Sequence, residues 1–256
     1  MSVPDELRRR YQGWSWTLAW DYIPGAETWR VQQDGGDVLF VKTRPDGQAL
    51  ADEAARMRWA RQHGLAVPQV VDVGRDGDTE WLVTAALPGR DATAAELKAD
   101  PPRLVRLLAA GLRAFHAAPA EQCPFRLGAE QAIAEAGRRA AAGLVTAGDL
   151  HSEHAHLTPQ GALAELRRLQ PDGSGQVVCH GDYCLPNVLI DAWAVAGYVD
   201  LGGLTVADRW RDLAVASWSV TWNLGPGWED ELFDGYGIRR DDRAIAFYRL
   251  LYDLEP

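Results

Sequence analysis

His180-Gly181-Asp182-Tyr183-Cys184-Leu185-Pro186-Asn187, followed by Asp200-Leu201-Gly202, is the stretch on which the reading of this chain turns. It has the form HxDxxxxN and then DxG, and it lies between short apolar runs that predict strands: Gln176–Cys179 and 188–190 as a β pair, with Gly197-Tyr198-Val199 ahead of Asp200. A phosphoryl-transfer site needs a carboxylate that accepts a hydrogen bond from the attacking hydroxyl, and separate oxygen ligands for a Mg²⁺ that bridges nucleotide phosphates. Asp182 suits the first role, and Asn187 and Asp200 the second. Asp, Asn and Gly are also common turn formers, so no single residue here carries weight alone. The ordered set does.

Upstream, Lys42 ends the apolar run Val38-Leu39-Phe40-Val41, and Glu53 lies on the segment that follows. A Lys–Glu ion pair at that point would place an ammonium on the α- and β-phosphates of a nucleotide. Around this pair, residues 14–43 predict a β-meander with a turn at Asp34-Gly35-Gly36. Residues 48–62 predict a helix ended by Gly64, and residues 69–73 and 80–86 predict two further strands. Leu87-Pro88-Gly89 breaks the pattern, which sets the expected division: a β-rich lobe over 1–86 and a larger, mostly helical lobe over 87–256.

In the second lobe Asp100 is an N-cap, Pro101-Pro102 fill the first turn, and Leu104, Leu107, Leu108, Leu112 and Phe115 recur at helical spacing. Further helices are expected at 129–142, 159–170, 208–222 and 240–251. The fold class is therefore α+β.

The balance of 26 Lys and Arg against 36 Asp and Glu gives a net charge of −10. Such a surface repels a phosphate backbone and attracts polycations, which argues against nucleic acid as a partner. At 47% hydrophobic and 24% charged residues the chain has enough apolar surface for a core. Three cysteines without CxxC spacing build neither a disulfide framework nor a four-thiolate zinc site. The first ten residues carry no apolar stretch, and the longest uncharged run is interrupted by Asn223, Gly225 and Pro226. The expectation is a soluble cytoplasmic protein without a membrane partner.

These residues resemble the aminoglycoside phosphotransferases, which share a protein-kinase-like fold, and specifically the 3'-phosphotransferases. The likeness runs through 38–43, Asp52-Glu53-Ala54-Ala55-Arg56, Cys123-Pro124-Phe125, Ala142-Gly143-Leu144-Val145, 180–187, Ala207-Asp208-Arg209, Asp212-Leu213-Ala214 and 245–251. It implies ATP-dependent phosphorylation of a hydroxyl, the 3'-hydroxyl, of an aminoglycoside antibiotic, conferring resistance. It implies Asp182 as catalytic base, Asn187 and Asp200 as Mg²⁺ ligands, Lys42 and Glu53 as the phosphate-binding pair, and adenine on the backbone near Thr84 and Ala86. The chain departs from the family in its short loop 25–30, which is no GxGxxG, in Gly203 where Arg is frequent, and in the acid-free segment 217–223.

A polycationic substrate needs carboxylates, since an unpaired buried ammonium is costly. Asp149, Glu153, 229–231, Asp253 and Glu255 are candidates, and by resemblance Glu153 and Asp253 match the substrate-binding positions best. His151, His154 and His156 could be taken for a metal site, but zinc sites usually recruit a distant ligand, and a surface segment is the preferred reading. No serine is flanked as a nucleophile elbow. Two alternatives share the fold: a kinase for another hydroxylated small molecule, and a non-catalytic nucleotide-binding pseudokinase.

Overall fold

Alternation of buried and half-buried residues along Val38–Pro45 explains the first half of the chain. Helix α1 (Asp5–Arg10) precedes strands β1 (Ser15–Ile23), β2 (Ala26–Gln32) and β3 (Val38–Pro45), followed by helix α2 (Ala49–Gln62) and strands β4 (Val70–Asp76) and β5 (Thr79–Ala85). The structure is a computed structural model that describes residues 3–23, 25–45, 49–171, 173 and 175–255; Gln48, where α2 was expected to start, lies outside them. The five strands pair antiparallel in the order β1-β2-β3-β5-β4.

With period two, Val31, Leu39, Val41, Trp81 and Val83 share one face, and Leu7 and Tyr11 cover it. Each such side chain fully removed from water contributes roughly 1.5–3 kcal/mol. Lys42 leaves β3 on the opposite face, where α2 packs Leu50, Ala54 and Met57.

The remaining elements are β6 (Arg90–Asp91), α3 (Ala95–Lys98), α4 (Pro101–His116), α5 (Ala129–Ala141), α6 (Pro159–Leu169), β7 (Gln176–Cys179), β8 (Val188–Asp191), β9 (Ala194–Tyr198), β10 (Thr205–Asp208), α7 (Trp210–Leu224), α8 (Glu229–Tyr236) and α9 (Asp242–Tyr252). The caps are those the residues call for. Asp100 accepts from Arg103 N at 3.3 Å, Thr158 from Gly161 N at 3.1 Å, and Asp241 from Arg243 N and Ala244 N at 3.0 Å. Leu104, Leu108, Leu112 and Phe115 of α4 are buried, while Leu107 sits half-exposed at the edge of the stripe.

Two compact units result: Met1–Arg90 with Leu189–Ala192 and Ala196–Gly202, and Asp91–Val188 with Trp193–Val195 and Gly203–Pro256. Asp200 thus belongs with the sheet of the first unit, which a single boundary at 86/87 does not express. The expected pairing of 176–179 with 188–190 is incorrect. β7 pairs antiparallel with β10, Cys179 opposite Thr205, and β8 is bonded to β9. Four-residue strands carry too little pattern to choose a partner.

The β8–β9 turn places Ala192 (φ 47°) and Trp193 (φ 60°) in the left-handed region, and the Arg103 guanidinium lies 4.1 Å from the Trp193 ring centroid. α8 was not expected at all. Among the described residues no helix is long and apolar enough to cross a membrane.

Phe115 is fully buried in α4. Phe115→Ala should destabilise the protein by about 3–5 kcal/mol through the cavity it leaves, read as a lower midpoint in urea unfolding. A loss under about 1 kcal/mol would show that the second unit does not depend on this helix face.

Candidate active site

In the first unit Lys42 is the centre of a charge cluster. Its Nζ bonds Glu53 Oε1 and Oε2 at 2.9 and 3.0 Å and Asp200 Oδ1 at 3.0 Å. Glu53 is buried on α2, whereas the Asp200 side chain remains half exposed. Burial alone would push the Lys42 pKa down, but the two carboxylates outweigh it and hold the ammonium well above the usual lysine value. Lys42 is therefore charged throughout the physiological range. Asp200 has φ 62°, a left-handed conformation rare for a residue with a side chain, at the point where β9 ends.

Thr84 lies in β5 opposite Phe40 and Val70. Ala86 donates its N–H to Val38 O at 3.0 Å, so that amide is already committed within the sheet. The loop 25–30 turns out to be the start of β2, entered through Gly25 at φ 81°. Pro24, beside it, lies outside the described residues.

In the second unit the segment 180–187 is held from below. Asp212 on α7 is fully buried and accepts from the backbone N–H of His180 at 2.6 Å and of Gly181 at 2.8 Å. His116 of α4 bonds the same carboxylate at 3.0 Å through Nε2 and the Tyr236 hydroxyl of α8 at 2.8 Å through Nδ1. Gly181 is required where it stands: with φ +94°, a Cβ there would meet Gly203 O at 2.3 Å. Gly203, where the family often has Arg, leaves room for this close approach. Tyr183 donates to Leu108 O at 2.9 Å, and Leu185 N donates to Ser219 Oγ at 2.8 Å.

On this platform Asn187 Nδ2 donates to Asp182 Oδ2 at 2.8 Å and to Asp182 O at 3.0 Å. The Tyr252 hydroxyl donates to Asp182 Oδ1 at 3.2 Å.

The expected substrate acids separate into two kinds. Glu153 lines a cavity of about 190 Å³ with His151, Trp218, Trp222, Glu229 and Arg249. Its Oε2 accepts from Trp218 Nε1 at 2.7 Å and Arg249 Nη1 at 3.3 Å, and the side chain stays half exposed. Asp253 is different. Its carboxylate has no exposed surface and accepts from His151 N at 3.0 Å, from His151 Nδ1, and from His154 Nδ1 at 2.7 Å. It anchors the segment 151–154, and both its oxygens are bonded there.

Of the three histidines that suggested a metal site, His151 and His154 bond this carboxylate, and His154 is buried rather than superficial. Glu255 pairs with Arg211, Glu229 with Arg249 and Arg240, and Asp149 caps Thr146. Among the described residues the cluster with metal-ligating atoms close together is His116, Cys179 and Asp212, whose Asp and His are taken up by the bonds above.

The phosphotransferase enzyme family model matches residues 25–249 of this chain. An aminoglycoside 3'-phosphotransferase of Streptomyces fradiae is 38% identical over 96% of this chain and 97% of its own length. The chain belongs to the aminoglycoside phosphotransferase family. An aminoglycoside 3'-phosphotransferase of Streptomyces ribosidificus is 35% identical over 96% of the chain and 97% of its own length. The crystal structure of an aminoglycoside 3'-phosphotransferase of type VIII superposes with a TM-score of 0.90 at 35% identity, covering 98% of this chain and 97% of the other. The kinase-like α+β fold expected from the loop is thereby established.

Asp212, His116, Tyr252 and Arg249 were given no role from the sequence. The available signal for Asp212 was a lone acid inside an apolar helix, and for Tyr252 there was none.

Burial alone would raise the Asp212 pKa, but the bond and charge of His116, the charge of His180 and the Gly181 N–H hold it below the ordinary carboxylate value. Its stabilisation is therefore complete above the unfolded pKa of about 3.9 and fades as pH falls through the lower folded value. Asp212→Asn should cost about 3–5 kcal/mol at pH 7. The gap to the wild type should narrow below about pH 4 in chemical denaturation, and a gap that widens there contradicts the assignment.

Proposed function

We propose that the protein transfers the γ-phosphoryl group of ATP to the 3'-hydroxyl of an aminoglycoside. The observation that carries this reading is Asp182, held by Asn187 on one oxygen, on a loop whose backbone is bonded to a buried carboxylate. The 3' position rests on the names of the relatives. Asp182 accepts the hydroxyl proton while the hydroxyl oxygen forms a bond to the γ-phosphorus and the bond to the ADP oxygen breaks. Lys42, fixed by Glu53, carries the positive charge for the α- and β-phosphates.

Asn187 and Asp200 fit Mg²⁺ by their chemistry. Both offer hard oxygen donors, Asn187 having turned its Nδ2 to Asp182 and so presenting Oδ1. When bound, Mg²⁺ neutralises phosphate charge. The backbone near Thr84 and Ala86, where the strand β5 ends, is assigned to adenine. Glu153 Oε1 is the carboxylate oxygen assigned to a substrate ammonium. The three cysteines are free thiols, in keeping with a cytoplasmic enzyme drawing on cellular ATP.

With ATP and Mg²⁺, kanamycin and neomycin are expected to be phosphorylated, followed by phosphorus NMR. Tobramycin, which has no 3'-hydroxyl, should inhibit without being consumed, less strongly as salt rises. Turnover of tobramycin at a rate comparable to kanamycin contradicts the 3' assignment. Turnover of a non-aminoglycoside alcohol alone contradicts the substrate class.

Asp182→Asn should lower kcat about 10²-fold or more with nucleotide affinity nearly unchanged. Asp200→Ala should abolish turnover, and full turnover at saturating Mg²⁺ would remove Asp200 from the metal site.

A further inference from the structure

We infer that Tyr252 is a positioning residue for Asp182, holding the second carboxylate oxygen so that the base faces the acceptor hydroxyl. The inference rests on the proposed role of Asp182 as base. A carboxylate on a single bond rotates easily about its last torsion, and one hydrogen bond restrains that rotation poorly. Asp182 has a donor on each oxygen: Asn187 Nδ2 on Oδ2 at 2.8 Å and the Tyr252 hydroxyl on Oδ1 at 3.2 Å. Two bonds to opposite oxygens fix the plane.

The direction of the Tyr252 bond is unambiguous, since an ionised carboxylate only accepts. Each carboxylate oxygen also has two lone-pair sites, so Oδ1 can hold Tyr252 and take the acceptor hydroxyl together. Tyr252 need not leave during the reaction, and it moves no proton.

The phenol is itself fixed. Tyr252 is the last residue of α9, and the next residue, Asp253, is clamped by His151 and His154. Its ring meets Trp218 edge-on at 6.3 Å and lies 6.2 Å from the His151 ring. One turn of chain thus ties the base to the segment that carries Glu153. A hydroxyl held from this many sides costs little further ordering in the transition state.

The test is steady-state kinetics of the full chain with ATP, Mg²⁺ and kanamycin. Tyr252→Phe, which removes one oxygen atom, should lower kcat about tenfold, with KM for nucleotide and acceptor within about threefold and the thermal midpoint within about 2 °C. Introduced into Asp182→Asn, the same change should alter the residual rate less than about twofold, because a residue acting through Asp182 has nothing left to act on.

A tenfold loss in both backgrounds, a rise in KM with kcat kept, or a kcat within about twofold of the wild type overturns the inference. If Asp182→Asn itself keeps full activity, or the wild type phosphorylates no acceptor, the reading of Asp182 as base fails and the inference falls with it. A defective Asp182→Asn beside an unaffected Tyr252→Phe sinks the inference alone.

Discussion

The buried carboxylate of Asp212 is the constraint on which the second unit depends. An ionised group removed from water costs several kcal/mol unless hydrogen bonds replace its hydration. Here the backbone amides of His180 and Gly181 and the ring of His116 do so. The same bonds that make burial of the charge tolerable also fix two successive peptide units of the loop, immediately before Asp182. Gly181 at φ +94° lets the chain turn against Gly203, and Asn187 closes the loop back onto Asp182. A single acid on α7 thereby converts a flexible segment rich in turn formers into a rigid presentation of one carboxylate.

The net charge of −10 gives a poor picture of what the binding surface offers. Arg249, itself buried, draws on both Glu153 and Glu229, and its guanidinium lies 5.3 Å from the Trp218 ring. Arg211 takes Glu255, and two histidines take Asp253. Most acids near the cavity are internal ligands for the protein's own cations. The half-exposed side chain of Glu153 and the exposed ring of Trp222 remain, so the cavity presents one carboxylate beside an aromatic surface.

The loop and its partners were legible because their chemistry is encoded in fixed short spacings: Asp182 to Asn187, and Lys42 at the end of an apolar strand. The helix that Asp100 caps was equally plain. What escaped depends on tertiary pairing. β7 chose β10 over β8, and nothing in Val177-Val178-Cys179 distinguishes the two. α8 escaped because Gly225-Pro226-Gly227 and a run of acids mask a helix that buries only Leu232, Phe233 and Tyr236. Asp253 was expected to meet a substrate, and only the fold shows two imidazoles arriving from a hundred residues away. The commitment of Ala86 N–H to Val38 is likewise a matter of register, which side-chain pattern does not reveal.

The last helix concentrates these dependencies. Arg249 pairs with two acids of the cavity, Tyr252 bonds Asp182 and Asp253 holds the segment 151–154, all within five consecutive positions of one helical end. A helix is rigid over such a length, so a shift that opens the cavity to a bulkier ring also moves the hydroxyl on Asp182. Trp222 of α7 borders the cavity and stacks on Trp218 at 5.0 Å and on His151 at 4.9 Å, so it belongs to the same packed group of rings.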